Sequence, residues 1–198
     1  MLLPYHIKGR IECGVDEAGR GCLAGPVTAA AVILPQGYTN ELLNDSKKLS
    51  LNLRNNLREE IEHVADYAVI HIAPQEIDSL NILQATFLAM RSAIDGLKQR
   101  PEHALIDGNK LPGHPTIPQD CFVKGDGIYQ SIAAASILAK THRDQLMREL
   151  HQAHPQYDWV NNKGYGTVKH RAGLSEFGIT FHHRKTFSWQ SVQLELDL

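Results

Sequence analysis

Four acidic side chains stand where the sequence pattern predicts that strands end. An apolar run precedes each of three acidic positions, which hold Asp16 with Glu17, Asp107, and Asp126. In open α/β sheets, ligands bind beyond the carboxyl ends of the strands. Crowded carboxylates repel one another and take up protons unless hard cations neutralise them. The pattern therefore predicts one or two Mg²⁺ or Mn²⁺ ions bridging phosphate oxygens, although a solvated turn is the alternative for any single acid.

A glycine-rich segment directly follows the first two acids. Successive side chains of a strand face opposite sides, so Asp16 and Glu17 reach one site only if the strand ends or distorts between them. The segment that comes next contains Gly19, Arg20 and Gly21, which would allow such a distortion. Glycine lets the backbone approach a ligand closely, and the arginine offers positive charge to a phosphate.

Length and composition narrow the classes of protein to which this chain can belong. The 198 residues fit one domain, and the formal charge of −2 gives no overall basic signature, although Lys, Arg and His are concentrated between residues 140 and 185. The three cysteines have neither metal-ligand spacing nor the pattern of a disulfide framework, which suits a reducing compartment. Neither a secretory signal nor an apolar run of membrane-spanning length is found, so we expect a cytoplasmic protein without a membrane anchor.

The elements that must position these residues alternate between strands and helices. We predict five strands, at residues 11–15, 27–34, 67–72, 104–106 and 121–124. We predict four helices, at residues 51–65 with Ser50 as N-cap, 81–98, 128–154 and 168–177. The result is an α/β fold in one domain, residues 1–198, with a helical C-terminal extension from about residue 155.

Five sequence motifs, in order, resemble those of the bacterial type 2 ribonucleases H, the ribonuclease HII family. They are GVDEAGRG with LAGPV, DSKKLS, LIDG, KGD followed by SIAAASILAK and RD, and NKGYGT. The resemblance covers the chain to at least Phe187 and implies a ribonuclease H-like fold with a central mixed five-stranded sheet flanked by helices. It implies that the metal-binding catalytic acids are Asp16, Glu17, Asp107 and Asp126. The implied reaction is hydrolysis of RNA within RNA–DNA hybrids and at single ribonucleotides in duplex DNA, giving 5′-phosphate and 3′-hydroxyl ends.

The resemblance also implies substrate contacts. The loop Gly19, Arg20 and Gly21 would sense the ribose 2′-hydroxyl, and Tyr165 would pack on the sugar past the RNA–DNA junction. Candidates for phosphate contacts are Lys47, Lys48, Lys163 and Arg184. Two positions depart from the family pattern, because Cys22 stands where proline is more frequent and Gly125 where alanine is frequent.

The end of the chain is similar to a short peptide with which bacterial proteins bind the sliding clamp. This stretch, residues 193–198, begins with Gln193 and ends with Leu198, and it lacks the usual final aromatic residue. A frayed tail is the alternative to clamp binding, and we otherwise expect a monomer.

Other functions stay open at this point. A nucleic-acid-binding module that has lost catalysis is the alternative from a different class, against which the presence of all four acids argues. A nucleotide-binding protein is a third reading, but the glycine loop lacks both the P-loop ending and the Rossmann spacing. A type 1 ribonuclease H or a repair endonuclease is the near neighbour, from which the GRG and NKGY segments distinguish this chain.

Overall fold

A computed structural model describes residues 2–44, 46 and 49–188 of the chain. Its centre is one five-stranded mixed sheet in the order β3-β2-β1-β4-β5. The strands are β1 (Glu12–Ala18), β2 (Val27–Ile33), β3 (Asp66–Ile72), β4 (His103–Asp107) and β5 (Gln119–Phe122). β1, β2 and β3 pair antiparallel, whereas β1, β4 and β5 run parallel. The mixed five-stranded sheet expected from the sequence is confirmed.

Helices flank the sheet and form the C-terminal region. They are α1 (Leu51–Val64), α2 (Pro74–Leu80), α3 (Ile82–Asp95), α4 (Gln130–Ala153), α5 (Trp159–Asn162) and α6 (Val168–Phe177). The Ser50 side chain caps α1 by accepting from the Leu53 N–H at 3.3 Å, as predicted. The model contains no helix that is both long and apolar enough to cross a membrane, within the residues described.

The two faces of the sheet carry two cores. Cys13 and Val15 of β1 pack with α3 on one face, while α4 covers the other face. Gly14 lies between them in sequence and faces α4, where an added Cβ would stand only 2.1 Å from the Ser131 carbonyl carbon. Small residues therefore let α4 approach β1 directly, and this close packing brings α4 side chains beneath the end of the sheet.

The structure differs most from the predicted elements in two strands and one helix. β1 continues through Asp16 and Glu17 to Ala18, because both acids remain paired with β2. β5 ends at Phe122, since Lys124 adopts a left-handed conformation (φ 59°) that a strand does not allow. Helix α2 was not predicted; it begins at Pro74, soon after β3 ends, and proline suits the first turn of a helix.

Candidate active site

The first two acids lie on opposite faces of one unbroken strand. Asp16 pairs with Ala30 and Glu17 with Ala29, so the distortion expected between them does not occur. Asp16 is buried on the α4 side, where its carboxylate is hydrogen-bonded by the Ser136 side chain and, at 2.6 Å, by the Glu17 N–H. The two acids thus approach the end of the sheet from different sides.

The other two acids reach the same end from β4 and from the start of α4. Val15 and Ile106 are register partners in parallel strands, so Asp16 and Asp107 both stand one residue beyond this pair. Asp107 Oδ1 accepts a hydrogen bond from the Gly125 N–H at 2.7 Å. Asp126 is the next residue, buried in a short 3-10 turn that precedes α4. Parallel pairing therefore brings Asp107 beside Asp16, and the hydrogen bond from Gly125 places Asp126 one residue from a contact of Asp107.

Three of the acids interact electrostatically, and the pKa of Asp16 shows the effect. Burial raises the pKa of Asp16 well above its usual range, and the negative charges of Glu17 and Asp107 raise it further. In the described ranges, no three His, Cys, Asp or Glu side chains are already arranged as a set of metal ligands. Three of the acids are turned towards other donors, because Asp16 accepts from a backbone N–H, Asp107 accepts from another, and Glu17 pairs with Arg20 at 3.3 Å.

A cleft opens beside the acids on the α3 side of the sheet. Its polar wall consists of Glu17, Arg20, Asp107, Gly108, Asn109 and Lys110. The opposite wall comes from α3 and consists of Leu83, Thr86, Phe87 and Met90. Acids and cations therefore share one opening, a combination that suits a phosphodiester whose oxygens need positive partners. Asn109, Lys110 and the α3 wall were not predicted, although LIDGNK holds the first two shortly after Asp107.

Arg184 is buried beneath the glycine loop and hydrogen-bonds to its backbone. Only 2% of its surface is exposed, and its Nη2 and Nη1 donate to the carbonyl oxygens of Gly19 and Arg20, both at 2.7 Å. Its Nε and Nη2 also donate to the Gly25 carbonyl at 3.1 and 3.0 Å. Burial lowers the pKa of Arg184 to about 10. The predicted phosphate contact is corrected accordingly, because the donors of this guanidinium already serve the loop backbone.

Arg143 is a second buried arginine, and it joins both glycine loops. It projects from α4 and donates to the carbonyls of Ala24 (3.1 Å), Pro26 (2.9 Å) and Lys163 (2.8 Å). A Cβ on Gly19, which has φ +91°, would overlap the Arg143 side chain. Arg143 belongs to the RD motif, but no role was predicted for it, because partners so distant in the chain leave no local signal.

Tyr165 stands beside the first loop with 46% of its surface exposed. Its ring lies 3.9 Å from the position of a Cβ built on Gly21, and its hydroxyl is hydrogen-bonded with Cys22. Burial, followed by the charge of Cys22, raises the pKa of Tyr165. The structure thus brings Tyr165 and the loop from Gly19 to Gly21 together.

Of the three lysines predicted to contact phosphates, only Lys163 lies among the described residues. Lys163 has a left-handed backbone (φ 52°), donates from Nζ to the Val160 carbonyl, and has a pKa lowered chiefly by burial. Lys47 and Lys48 lie outside the described residues, as does the predicted clamp peptide at residues 193–198.

The chain matches one protein family over most of its length. Residues 13–192 match the model described as Ribonuclease HII. A Ribonuclease HII of Bacteroides thetaiotaomicron is 59% identical over 189 residues, which cover 95% of this chain and 94% of the relative. A Ribonuclease HII of Phocaeicola vulgatus is 57% identical over 199 residues, covering 100% of this chain and 99% of the relative.

Solved structures share the fold. Ribonuclease H2 from Pyrococcus horikoshii has a TM-score of 0.79 at 23% identity, covering 90% of this chain and 94% of that one. RNase HII from Archaeoglobus fulgidus, solved in complex with PCNA, has a TM-score of 0.77 at 25% identity, covering 93% and 98%. Bst-RNase HIII in complex with Mn²⁺ has a TM-score of 0.71 at 17% identity, covering 90% and 67%.

Proposed function

Because this chain belongs to the ribonuclease HII family, whose members are endonucleases acting on RNA–DNA hybrids, we propose that it also cuts at single ribonucleotides embedded in duplex DNA. The cut would leave 5′-phosphate and 3′-hydroxyl ends and would initiate removal of the ribonucleotide. The observation that carries this proposal is the placement of an exposed Tyr165 ring against the loop of Gly19, Arg20 and Gly21.

The loop and the tyrosine would read two neighbouring sugars. A 2′-hydroxyl, which donates and accepts hydrogen bonds, separates RNA from DNA at one position. We propose that backbone groups of the Gly19–Gly21 loop contact this hydroxyl, because Arg184 holds the carbonyls of Gly19 and Arg20 and the Arg143 side chain packs closely against Gly19. The Tyr165 ring would pack on the next sugar, where the absence of a 2′-hydroxyl leaves room for it.

The four acids would hold the metal ions. Their ligand atoms are all carboxylate oxygens, which hard divalent cations prefer. Burial and the charges of Glu17 and Asp107 raise the pKa of Asp16, and a bound cation would favour its ionised form. These observations fit Mg²⁺ or Mn²⁺ bound by Asp16, Glu17, Asp107 and Asp126. Such ions, when bound, activate water and stabilise the leaving oxygen of a phosphodiester. Arg20 would release Glu17 for this role and turn its charge towards a phosphate.

The remaining proposals concern binding and location. We propose that Lys47, Lys48 and Lys163 neutralise backbone phosphates and thereby position the duplex without selecting its sequence. The three cysteines are free thiols, which fits the cytoplasm that we propose for a monomeric enzyme.

A sliding-clamp contact through residues 193–198 also stays a proposal. The archaeal relative solved with PCNA shows that one protein of this fold binds a clamp. A clamp pull-down of the full chain and of a chain lacking the last six residues tests it, and equal retention of the two would remove the idea.

The test of the main proposal is cleavage of a DNA duplex that carries one ribonucleotide. We expect a cut at that nucleotide in Mg²⁺, none with EDTA, and none in the all-DNA duplex. Tyr165→Ala should reduce this cut by more than it reduces cleavage of a long hybrid, because the ring packs on a sugar without a 2′-hydroxyl, which only the junction offers. Cleavage of hybrids without a cut at the single ribonucleotide would overturn the proposal, and binding without any cleavage would favour the inactive binding module.

A further inference from the structure

Two buried histidines lie directly behind the tyrosine and the glycine loop. His170 of α6 and His183 are almost completely buried, and their Nε2 atoms are 3.1 Å apart. Neither takes part in the proposed chemistry. Both are nonetheless connected to it, since His170 contacts the backbone of Tyr165 and His183 immediately precedes Arg184.

The partners of these rings determine where each proton lies. Trp159 Nε1–H can only donate, and it donates to His170 Nε2 at 3.1 Å. His170 therefore accepts at Nε2 and carries its proton on Nδ1, from which it donates to the Tyr165 carbonyl at 2.9 Å. This assignment follows from the hydrogen-bond network, because only one orientation satisfies every partner.

The same reasoning assigns the proton of the His183 ring. Because His170 Nε2 accepts, His183 Nε2 must be the donor between the two rings. His183 Nδ1 then accepts from the Thr180 N–H at 2.9 Å and from the Thr180 hydroxyl at 2.9 Å. Burial lowers the pKa of both histidines, that of His183 to about 4, so both are neutral at pH 7.

The chain of hydrogen bonds thus has one direction and joins two recognition elements. It runs from Thr180 through His183 and His170 to the Tyr165 carbonyl. At the His183 end, the next residue is Arg184, whose guanidinium holds the carbonyls of Gly19 and Arg20. The Tyr165 carbonyl is therefore bonded to one end of the imidazole pair, and the arginine that holds the glycine loop directly follows the other end in the chain.

We propose that His170 is a positioning residue for ribonucleotide selection, which sets the Tyr165 ring against the Gly19–Gly21 loop through its Nδ1–H bond to the Tyr165 carbonyl. This inference rests on the proposed function of the site. His170 has no part in the cleavage itself, and its effect is on the choice between a single ribonucleotide and a long hybrid.

Two substitutions separate the two hydrogen bonds of His170. His170→Asn keeps a donor near the position of Nδ1, whereas His170→Gln keeps an acceptor near Nε2 and loses the donor to Tyr165. The measurement is the ratio of kcat/KM on a duplex with one ribonucleotide to kcat/KM on a long hybrid. We expect His170→Gln to lower this ratio by about three- to tenfold, the value of one hydrogen bond, and His170→Asn to leave it near that of the wild type.

Controls separate positioning from loss of structure. His63→Gln changes an exposed histidine on α1 and should leave the ratio unaltered. Thermal unfolding should show that both His170 variants are folded and destabilised by similar amounts. If either unfolds, an NMR measurement of the imidazole nitrogens of the wild-type protein replaces the comparison: His170 should carry its proton on Nδ1, where it can donate to the Tyr165 carbonyl.

The outcomes are distinct. An equal ratio in His170→Gln, His170→Asn and wild type would overturn the inference while the proposed function stands, and so would equal losses in both variants. A His170 proton found on Nε2 by NMR, where that measurement is needed, would also overturn it. A wild-type enzyme that cuts hybrids but not the single ribonucleotide would overturn the proposed function together with this inference.

Discussion

Three acids of the site interact with hydrogen-bond donors or a cation within the protein. Asp107 accepts from the Gly125 N–H and Glu17 pairs with Arg20, while Asp16 accepts from the N–H of its own neighbour. The residue types and their placement after apolar runs were readable from the sequence. These donors were not, because the order of β1 and β4 in the sheet decides which groups meet.

Asp107→Asn should abolish cleavage and leave the fold intact. The asparagine Oδ1 can still accept from Gly125, so the turn before α4 keeps its hydrogen bond, while one negative charge is lost from the metal site. We expect a fall in kcat of at least about a hundredfold, with hybrid affinity and melting temperature near those of the wild type. Steady-state cleavage, hybrid titration and thermal denaturation measure these three quantities. Wild-type activity of the variant in Mg²⁺ would remove Asp107 from the site.

At the scale of elements, the contact between β1 and α4 sets the depth of the site. Gly14 has the Ser131 and Ile132 backbone where a Cβ would be, and Asp16, two residues further on, faces the same helix and meets Ser136. Ser136 in turn contacts the Ser46 hydroxyl at 3.0 Å. A strand and a helix in direct backbone contact therefore present the buried acid with its hydroxyl partner.

Gly14→Ala should destabilise the protein strongly. Because the clash is with backbone atoms of α4, β1 and α4 must separate, and overpacking of this kind costs about 1–3 kcal/mol or more. Denaturant unfolding should show the loss as a lower midpoint. Gly127→Ala is the matched control, since a Cβ there meets nothing within 4 Å. Equal midpoints for the two variants would contradict the close packing described here.

Sequence patterns predicted the elements better than their connections. Periodicity and capping residues gave α6 its observed bounds, Val168–Phe177, because a helix depends on neighbours three and four residues away. The partners of Arg184 are 159 to 165 residues away, and no local pattern encodes a contact of that range. The same reason explains why a buried loop-holding arginine was interpreted as a phosphate contact.

At the scale of the whole molecule, His182 and Arg184 connect segments that are far apart in the sequence. The Gly25 N–H donates to the His182 carbonyl at 2.8 Å, and the Arg184 N–H donates to the Leu23 carbonyl at 2.9 Å. The Leu23 N–H donates to Gly164 at 2.8 Å. Three distant segments thus share one hydrogen-bonded junction, with the imidazoles of His170 and His183 beneath it.

Acid should weaken this junction. Burial lowers the pKa of His183 from its usual 6.5 to about 4, so between these values the unfolded chain binds a proton that the folded chain excludes. The free energy of unfolding should therefore fall as the pH falls through this window. The raised pKa of Asp16 acts in the opposite sense, because protonation of the folded chain stabilises it in acid.

A comparison with His183→Gln isolates the histidine. The glutamine amide keeps a donor towards His170 but does not titrate. The melting temperature of the variant should therefore fall less than that of the wild type between about pH 7 and pH 4.5. Circular dichroism at several pH values measures both slopes. Parallel slopes would show that other groups govern the acid sensitivity.

The position of Arg184 in the chain has a consequence for biosynthesis. Translation delivers all five strands and all four acids before it delivers this arginine. Until then the carbonyls of Gly19 and Arg20 lack the guanidinium donors that give their loop its shape. A nascent chain can therefore pair all its strands before its recognition surface is fully shaped.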